Sequence, residues 1–168
     1  MGTTETARVD QLSEVISQQE LLAHWQGHRD LTRRIIAAFP ENDFFNFRIG
    51  GMRPFSEMTA ELLGIAGPGM KEIATGKQAE FEDFKNLKTK EEFLKLWDES
   101  TATINEYWNQ VPAEKFHDHI KAFGQYEGTI ISTILYYIDN EIHHRAQGYV
   151  YLRALGVEPA PFWDRKGI

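Results

Sequence analysis

The chain has 168 residues, a formal net charge of -7 and no cysteine. A chain of this length supports one core without staples, so a single domain over residues 1–168 is expected, with residues 1–16 as a polar N-terminal arm. The missing cysteines exclude disulfides, thiolate nucleophiles and Cys-based zinc sites, leaving His, Asp, Glu and Asn as the available metal ligands. Lys and Arg are interspersed with more numerous acids, which argues against nucleic acid as a partner.

Residues 1–8 are polar and lack the apolar run of a signal peptide. No window approaches the ~18 apolar residues of a membrane span, so a cytoplasmic protein with no membrane partner is expected.

Helical periodicity begins at residues 17–39, where Leu21, Leu22, Trp25, His28, Thr32, Ile35, Ile36 and Phe39 recur at three- and four-residue steps. Pro40 ends this helix. The aromatic stretch Asp43-Phe44-Phe45-Asn46-Phe47 is expected as a loop leading through Gly50, Gly51 and Pro54 to a second helix. The inward stripe of that helix is Phe55, Met58, Leu62, Ile65 and Ala66, and Gly67-Pro68-Gly69 is expected to kink or break it.

A third helix opens at Thr89, where Thr89-Lys90-Glu91-Glu92 reads as a capping box, and carries Phe93, Leu94, Trp97, Ile104, Tyr107 and Trp108. Pro112 closes the segment, and residues 117–127 form a polar connection holding a turn or a short extended piece. The last helix spans residues 129–155, with Gly156 as its stop and Pro159 and Pro161 beyond. Long helices joined by substantial loops, with no convincing alternating strand, predict an all-α four-helix bundle.

The last helix presents two faces that are not obviously solvated. Ile131, Leu135, Ile138, Ile142 and Tyr149 form an apolar stripe; roughly opposite lie Thr133, Tyr137, Asn140, His144, Gly148, Tyr151 and Leu155. The second face is aromatic, small and hydrogen-bonding where a simple bundle helix carries Lys and Glu. It lines a pocket or meets another subunit.

Within this helix stands Glu141-Ile142-His143-His144-Arg145-Ala146-Gln147, followed by Tyr151-Leu152-Arg153 and Gly156. Together with Met52-Arg53-Pro54-Phe55 and the Trp/Arg-bearing first helix, these residues resemble the DinB/YfiT-like superfamily of four-helix-bundle proteins. The resemblance implies a divalent metal held by one histidine of the second helix and two, four apart, of the last. Carried over, the last-helix pair falls on Asn140 and His144, and the second-helix position, counted from Phe55, on Glu61. Only His144 keeps the imidazole.

A Glu61, Asn140 and His144 set would hold Ni, Zn, Mn or Fe less tightly than three imidazoles, with harder ions gaining relative weight. The competing reading is a buried hydrogen-bonded cluster without metal. His24 and His28 form a second four-residue pair in the first helix, with His28 the lower-ranked alternative ligand facing the same cavity as His144. Adjacent to His144 but turned away, His143 is expected at the surface or in support of a ligand, and Arg145 is expected to pair with Glu141 one turn earlier or with a carboxylate on another helix.

The resemblance thus implies a metal-dependent transferase or hydrolase acting on a small molecule, with a degenerate His triad. The alternative is a stress-associated, non-catalytic small-molecule binder or dimeric scaffold that has lost the metal site. A homodimer is expected in either case.

Overall fold

The computed structural model of the protein describes residues 15–84 and 86–166; the expected N-terminal arm lies outside them except for its last two residues. Among these, the elements are α1 (Gln18–Ala38), α2 (Glu41–Asn46), α3 (Phe55–Thr75), α4 (Lys90–Trp108), a 3₁₀ turn (Ala113–His117), β1 (His119–Ala122), β2 (Tyr126–Thr129) and α5 (Ile130–Ala154). The fold is mostly helical, with α1, α3, α4 and α5 forming the bundle.

Each long helix packs on two others: α1 and α3 both contact α4 and α5. Trp25, Met70, Trp108 and Ile134 meet in one apolar cluster, and Ile36, Phe55, Trp97 and Leu152 meet in a second. Read along each helix, these clusters fix the directions. The α1 and α5 helices run one way, and α3 and α4 the other. Residues 76–89 are therefore a crossover that returns the chain along the bundle, the device by which a bundle places consecutive helices parallel.

Local chemistry accounts for the helix ends. Ser17 and Thr89 each accept the N3 amide while Glu20 and Glu92 reach back to the cap amides, reciprocal pairs worth about 1 kcal/mol per cap. At the far end of α5, Gly156 adopts φ +75° and Val157 N donates to Leu152 O (2.9 Å), the expected glycine stop.

Several expectations are corrected. Helix α3 does not break at Gly67-Pro68-Gly69; it continues through Pro68 to Thr75 and stops at Gly76, whose φ of +68° supplies the left-handed cap. A mid-helix proline costs about 3 kcal/mol, which tertiary packing of α3 between α4 and α5 offsets. The Asp43–Phe47 stretch is not a loop but mostly the short helix α2, with Phe44 buried against Phe39, Phe55 and Phe93.

The connection before α5 does contain an extended piece, an antiparallel hairpin with Ala122 opposite Tyr126. Its turn puts Phe123 at φ 54° and Gly124 at φ 66°, and Phe123 N donates to Glu72 Oε2 (2.9 Å). That bond helps hold a bulky residue in a backbone region it rarely adopts.

The expected stripe on α5 is also displaced. Leu135 is 42% exposed and Ile131 and Ile142 are only half-buried, whereas Ile134, Tyr137, Ile138, Glu141, His144, Arg145, Gly148 and Leu152 are buried. The two faces read from sequence are flanks of one broad buried face. The helix carries charge in its interior, so hydrophobicity alone misplaces its centre.

Candidate functional site

Midway along the bundle, between the two apolar clusters, α5 carries polar side chains on both flanks. Toward α3, Asn140 and His144 meet Glu61. Toward α1, Glu141 and Arg145 meet Arg29, Thr32 and His28.

Close helix approach sets the first group. Gly148 lies against the Phe55 ring, where a Cβ would sit 2.6 Å from the nearest ring carbon, so only glycine lets α5 approach the start of α3 this closely. His144, one turn earlier, then faces Glu61 with Nε2 to Oε1 at 3.1 Å. A longer contact runs from Asn140 Nδ2 to the same Oε1 at 3.4 Å. Arg53, just before α3, closes the other oxygen with its guanidinium 2.7 Å from Oε2. Tyr151 Oη donates to the Arg53 carbonyl (2.8 Å) and so anchors that segment to α5.

The protonation states follow from these contacts. Burial works to raise the Glu61 carboxyl, but Arg53 and His144 together hold it below the usual carboxylate value. Burial outweighs the attraction of Glu61 and lowers the His144 ring, favouring the neutral form near pH 7. An ionised Glu61 has no proton to give, so Nε2–H of His144 donates and Nδ1 carries the lone pair. That Nδ1 is buried with no hydrogen-bond partner among the described residues.

These residues do not fit a resident divalent metal. A ligating histidine donates its second ring N–H to a carboxylate, carbonyl or water, and Nδ1 of His144 has no such group among the described residues to receive it. The Arg53 guanidinium already provides the positive charge beside Glu61. Asn140 turns its amide nitrogen, not its oxygen, toward the shared point. The structure thus brings together all three residues expected from sequence, as a hydrogen-bonded cluster, with Arg53 as the member that helical spacing could not reveal.

His28 is corrected as an alternative ligand: it does not share contacts with His144. Its Nδ1 lies 2.9 Å from Arg145, and its Nε2 lies 2.9 Å from Arg165 and 3.2 Å from His24, on the α1 side of α5. Two guanidinium groups beside one ring make a poor cation site. His143 is exposed against Gln147, and Arg145 Nη1 stands 4.0 Å from Glu141, as expected.

Glu61 also lines a cavity of about 750 Å³ between Ile65 of α3, Thr133 and Tyr137 of α5, the hairpin and the start of the crossover. Gln78, Ala79, Glu80 and Phe81 form its crossover wall. The crossover sits tight on α3: a Cβ at Gly64 would lie 2.6 Å from the Glu82 carbonyl. The hairpin and crossover residues of this wall carry no periodic signal, so sequence reading missed them.

The sequence profile of the DinB family matches residues 10–165. The chain belongs to the DinB family. Its bundle is similar to the crystal structure of a DinB-like protein from Bacillus subtilis (19% identity, 85% of this chain and 96% of that chain, TM-score 0.67). It is also similar to a DinB-like protein from Bacillus cereus (13% identity, 85% and 95%, TM-score 0.71).

A mutant of the mycothiol-dependent maleylpyruvate isomerase shares the fold at 12% identity and TM-score 0.61, over 77% of this chain and 60% of that one. No curated protein matches the chain significantly in sequence. Within the DinB frame, the last-helix motif from Glu141 to Gln147 supplies both polar groups of α5, one toward each neighbouring helix. No described helix is long and apolar enough to cross a membrane.

Proposed function

We propose that this DinB protein acts on a small molecule held in the α3–α5 cavity, with Glu61 as its proton acceptor, His144 as the residue that positions Glu61, and no resident metal. The observation that supports this is Glu61 itself, which lines the cavity on one side and accepts from His144 at 3.1 Å on the other. An ionised Glu61 offers the bound molecule a hydrogen-bond acceptor and a weak base, and His144 behind it donates Nε2–H to hold the carboxylate in place. Arg53 keeps the carboxylate from becoming strongly basic. The fold shared with a small-molecule isomerase is in keeping with this class of role, and the transferase or hydrolase chemistry implied by resemblance belongs to the same proposal.

The test is a thermal-shift screen of small molecules against the wild type and Glu61→Gln, followed by an NMR time course of each hit. Hits whose stabilisation disappears in Glu61→Gln and which are converted over time support the reading. Hits that stabilise both proteins equally place the ligand elsewhere and overturn it.

A second reading is a non-catalytic binder. Both Glu61 oxygens are already engaged, Oε1 by His144 and Asn140 and Oε2 by Arg53, as in a structural cluster. Hits that bind through Glu61 yet remain unchanged in the time course favour it.

The homodimer remains part of the proposal, but not through the face that suggested it. Tyr137, His144, Gly148 and Tyr151 are buried within the chain, and sedimentation at micromolar concentration tests the assembly.

A further inference from the structure

We infer that the cavity beside Glu61 takes a small organic cation, a protonated or quaternary amine bearing an apolar body. The inference rests on the small-molecule reading above and names its ligand class. Five aromatic rings line the cavity: Phe81 from the crossover, Phe123 and Tyr126 from the hairpin, and Tyr136 and Tyr137 from α5. Among the described residues that line the cavity, the charged side chains are Glu61, Glu80 and Glu127, and none is Lys or Arg. Ring faces carry negative quadrupole potential, so aromatic walls and carboxylates act on a ligand with the same sign.

Alternative ligand charges fit worse. An anion would meet three carboxylates with no cation among the described lining residues to receive it. A neutral apolar molecule would leave those acids without a role, and would force desolvation of carboxylates it does not pair. Two acids are partly satisfied from outside the cavity, Glu61 by Arg53 at 2.7 Å and Glu127 by Lys121 at 3.7 Å. Glu80 forms no ion pair among the described residues and is the acid most available to a bound ammonium group.

A second observation converges on the same place. Phe81, Tyr126 and Tyr136 are 57%, 68% and 56% exposed, and all three stand around this cavity. Large aromatic surface left in water around one opening is the arrangement that recognises ammonium groups, because the rings can enclose the cation on several sides. Tyr137 contributes its ring to the same wall, while its hydroxyl packs against Gly69 of α3. Ser132 and Thr133 supply neutral oxygens able to accept from an N–H donor.

The experiment uses three soluble probes that share a phenyl ring and differ in charge: phenethylammonium, 2-phenylethanol and 3-phenylpropionate. Each is titrated into the full-length protein by calorimetry at neutral pH. Phenethylammonium is expected to bind about tenfold or more tighter than the alcohol, with the carboxylate weakest, and to weaken with added salt.

Glu80→Gln and Tyr136→Ala should each lower the cation affinity about three- to tenfold without changing the melting temperature, since both side chains are exposed. Preference for the alcohol or the carboxylate overturns the cation assignment while leaving the cavity as a small-molecule site. Unchanged affinity in both variants places the cation elsewhere and overturns the inference. Absence of binding by all three probes overturns it together with the small-molecule reading of this cavity.

Discussion

Arg29 of α1 and Glu141 of α5 face each other at 3.6 Å, each with only 1% of its side chain exposed. Around them, Thr32 Oγ1 donates to Glu141 (2.6 Å), Arg29 Nη2 donates to the Trp97 carbonyl (3.1 Å), and the guanidinium lies 3.6 Å over the Trp97 ring. Arg145 approaches the same carboxylate at 4.0 Å. The layer thus ties α1, α4 and α5 at the level where the two apolar clusters part.

Removing Glu141 leaves Arg29 buried without this counterion, and removing Arg29 leaves Glu141 with only the more distant Arg145. Arg29→Met and Glu141→Leu are each expected to lower unfolding free energy by about 3–5 kcal/mol, with Glu141→Leu the costlier because it serves two arginines. The double variant should cost less than the sum of the two. Urea unfolding of the three proteins reads this directly; strict additivity would contradict the coupling.

Two tyrosines on α5 should respond oppositely to loss of the hydroxyl. Tyr151 Oη donates to the Arg53 carbonyl, so Tyr151→Phe is expected to cost about 1 kcal/mol and to weaken ligand effects that depend on Glu61. Tyr137 Oη is buried without a hydrogen-bond partner among the described residues, so Tyr137→Phe should be neutral or stabilise by up to about 1 kcal/mol. Equal destabilisation in both would refute the assignment.

The pH dependence of stability should carry the signature of His28. Burial first, then the neighbouring Arg145, His24 and Arg165, pull its pKa from 6.5 down to about 3. The folded chain therefore holds this ring neutral where the unfolded chain protonates it. The stability is fully present above pH 6.5 and drains away as the pH falls toward about 3. Urea midpoints measured from about pH 7 to about pH 5 should fall for the wild type, and less steeply for His28→Gln. Identical slopes would remove His28 from the account.

Protein purified without chelator or added metal should contain less than about a tenth of an equivalent of Ni, Zn, Mn or Fe per chain, since one imidazole, one amide and an arginine-paired carboxylate form a weak donor set. Elemental analysis decides this. A stoichiometric ion lost on His144→Ala would show that Arg53 gives way to a metal.

The helices were readable because periodicity and caps are local: the Thr89 box is written within four residues, and so is the Gly156 stop. Glu61, Asn140 and His144 could be placed together because resemblance supplied the spacing between helices that one sequence lacks. What escaped reading depends on contacts distant in sequence. Arg29 looks like a surface charge until Glu141, from the last helix, is known to lie opposite. Arg53 precedes a helix and shares no period with Glu61. Pro68 reads as a break because the tertiary packing that lets α3 continue comes from α4 and α5.

The crossover over residues 76–89 separates two tasks that many folds combine in one set of residues. The buried layers of α1, α3, α4 and α5 keep the frame together, while Gln78 to Phe81 and the hairpin supply much of the cavity wall. Exchanging the side chains of that wall should alter what the protein recognises while leaving most of the core unchanged. The same bundle can in this way be retuned to a new ligand by changes confined to a connection and a turn.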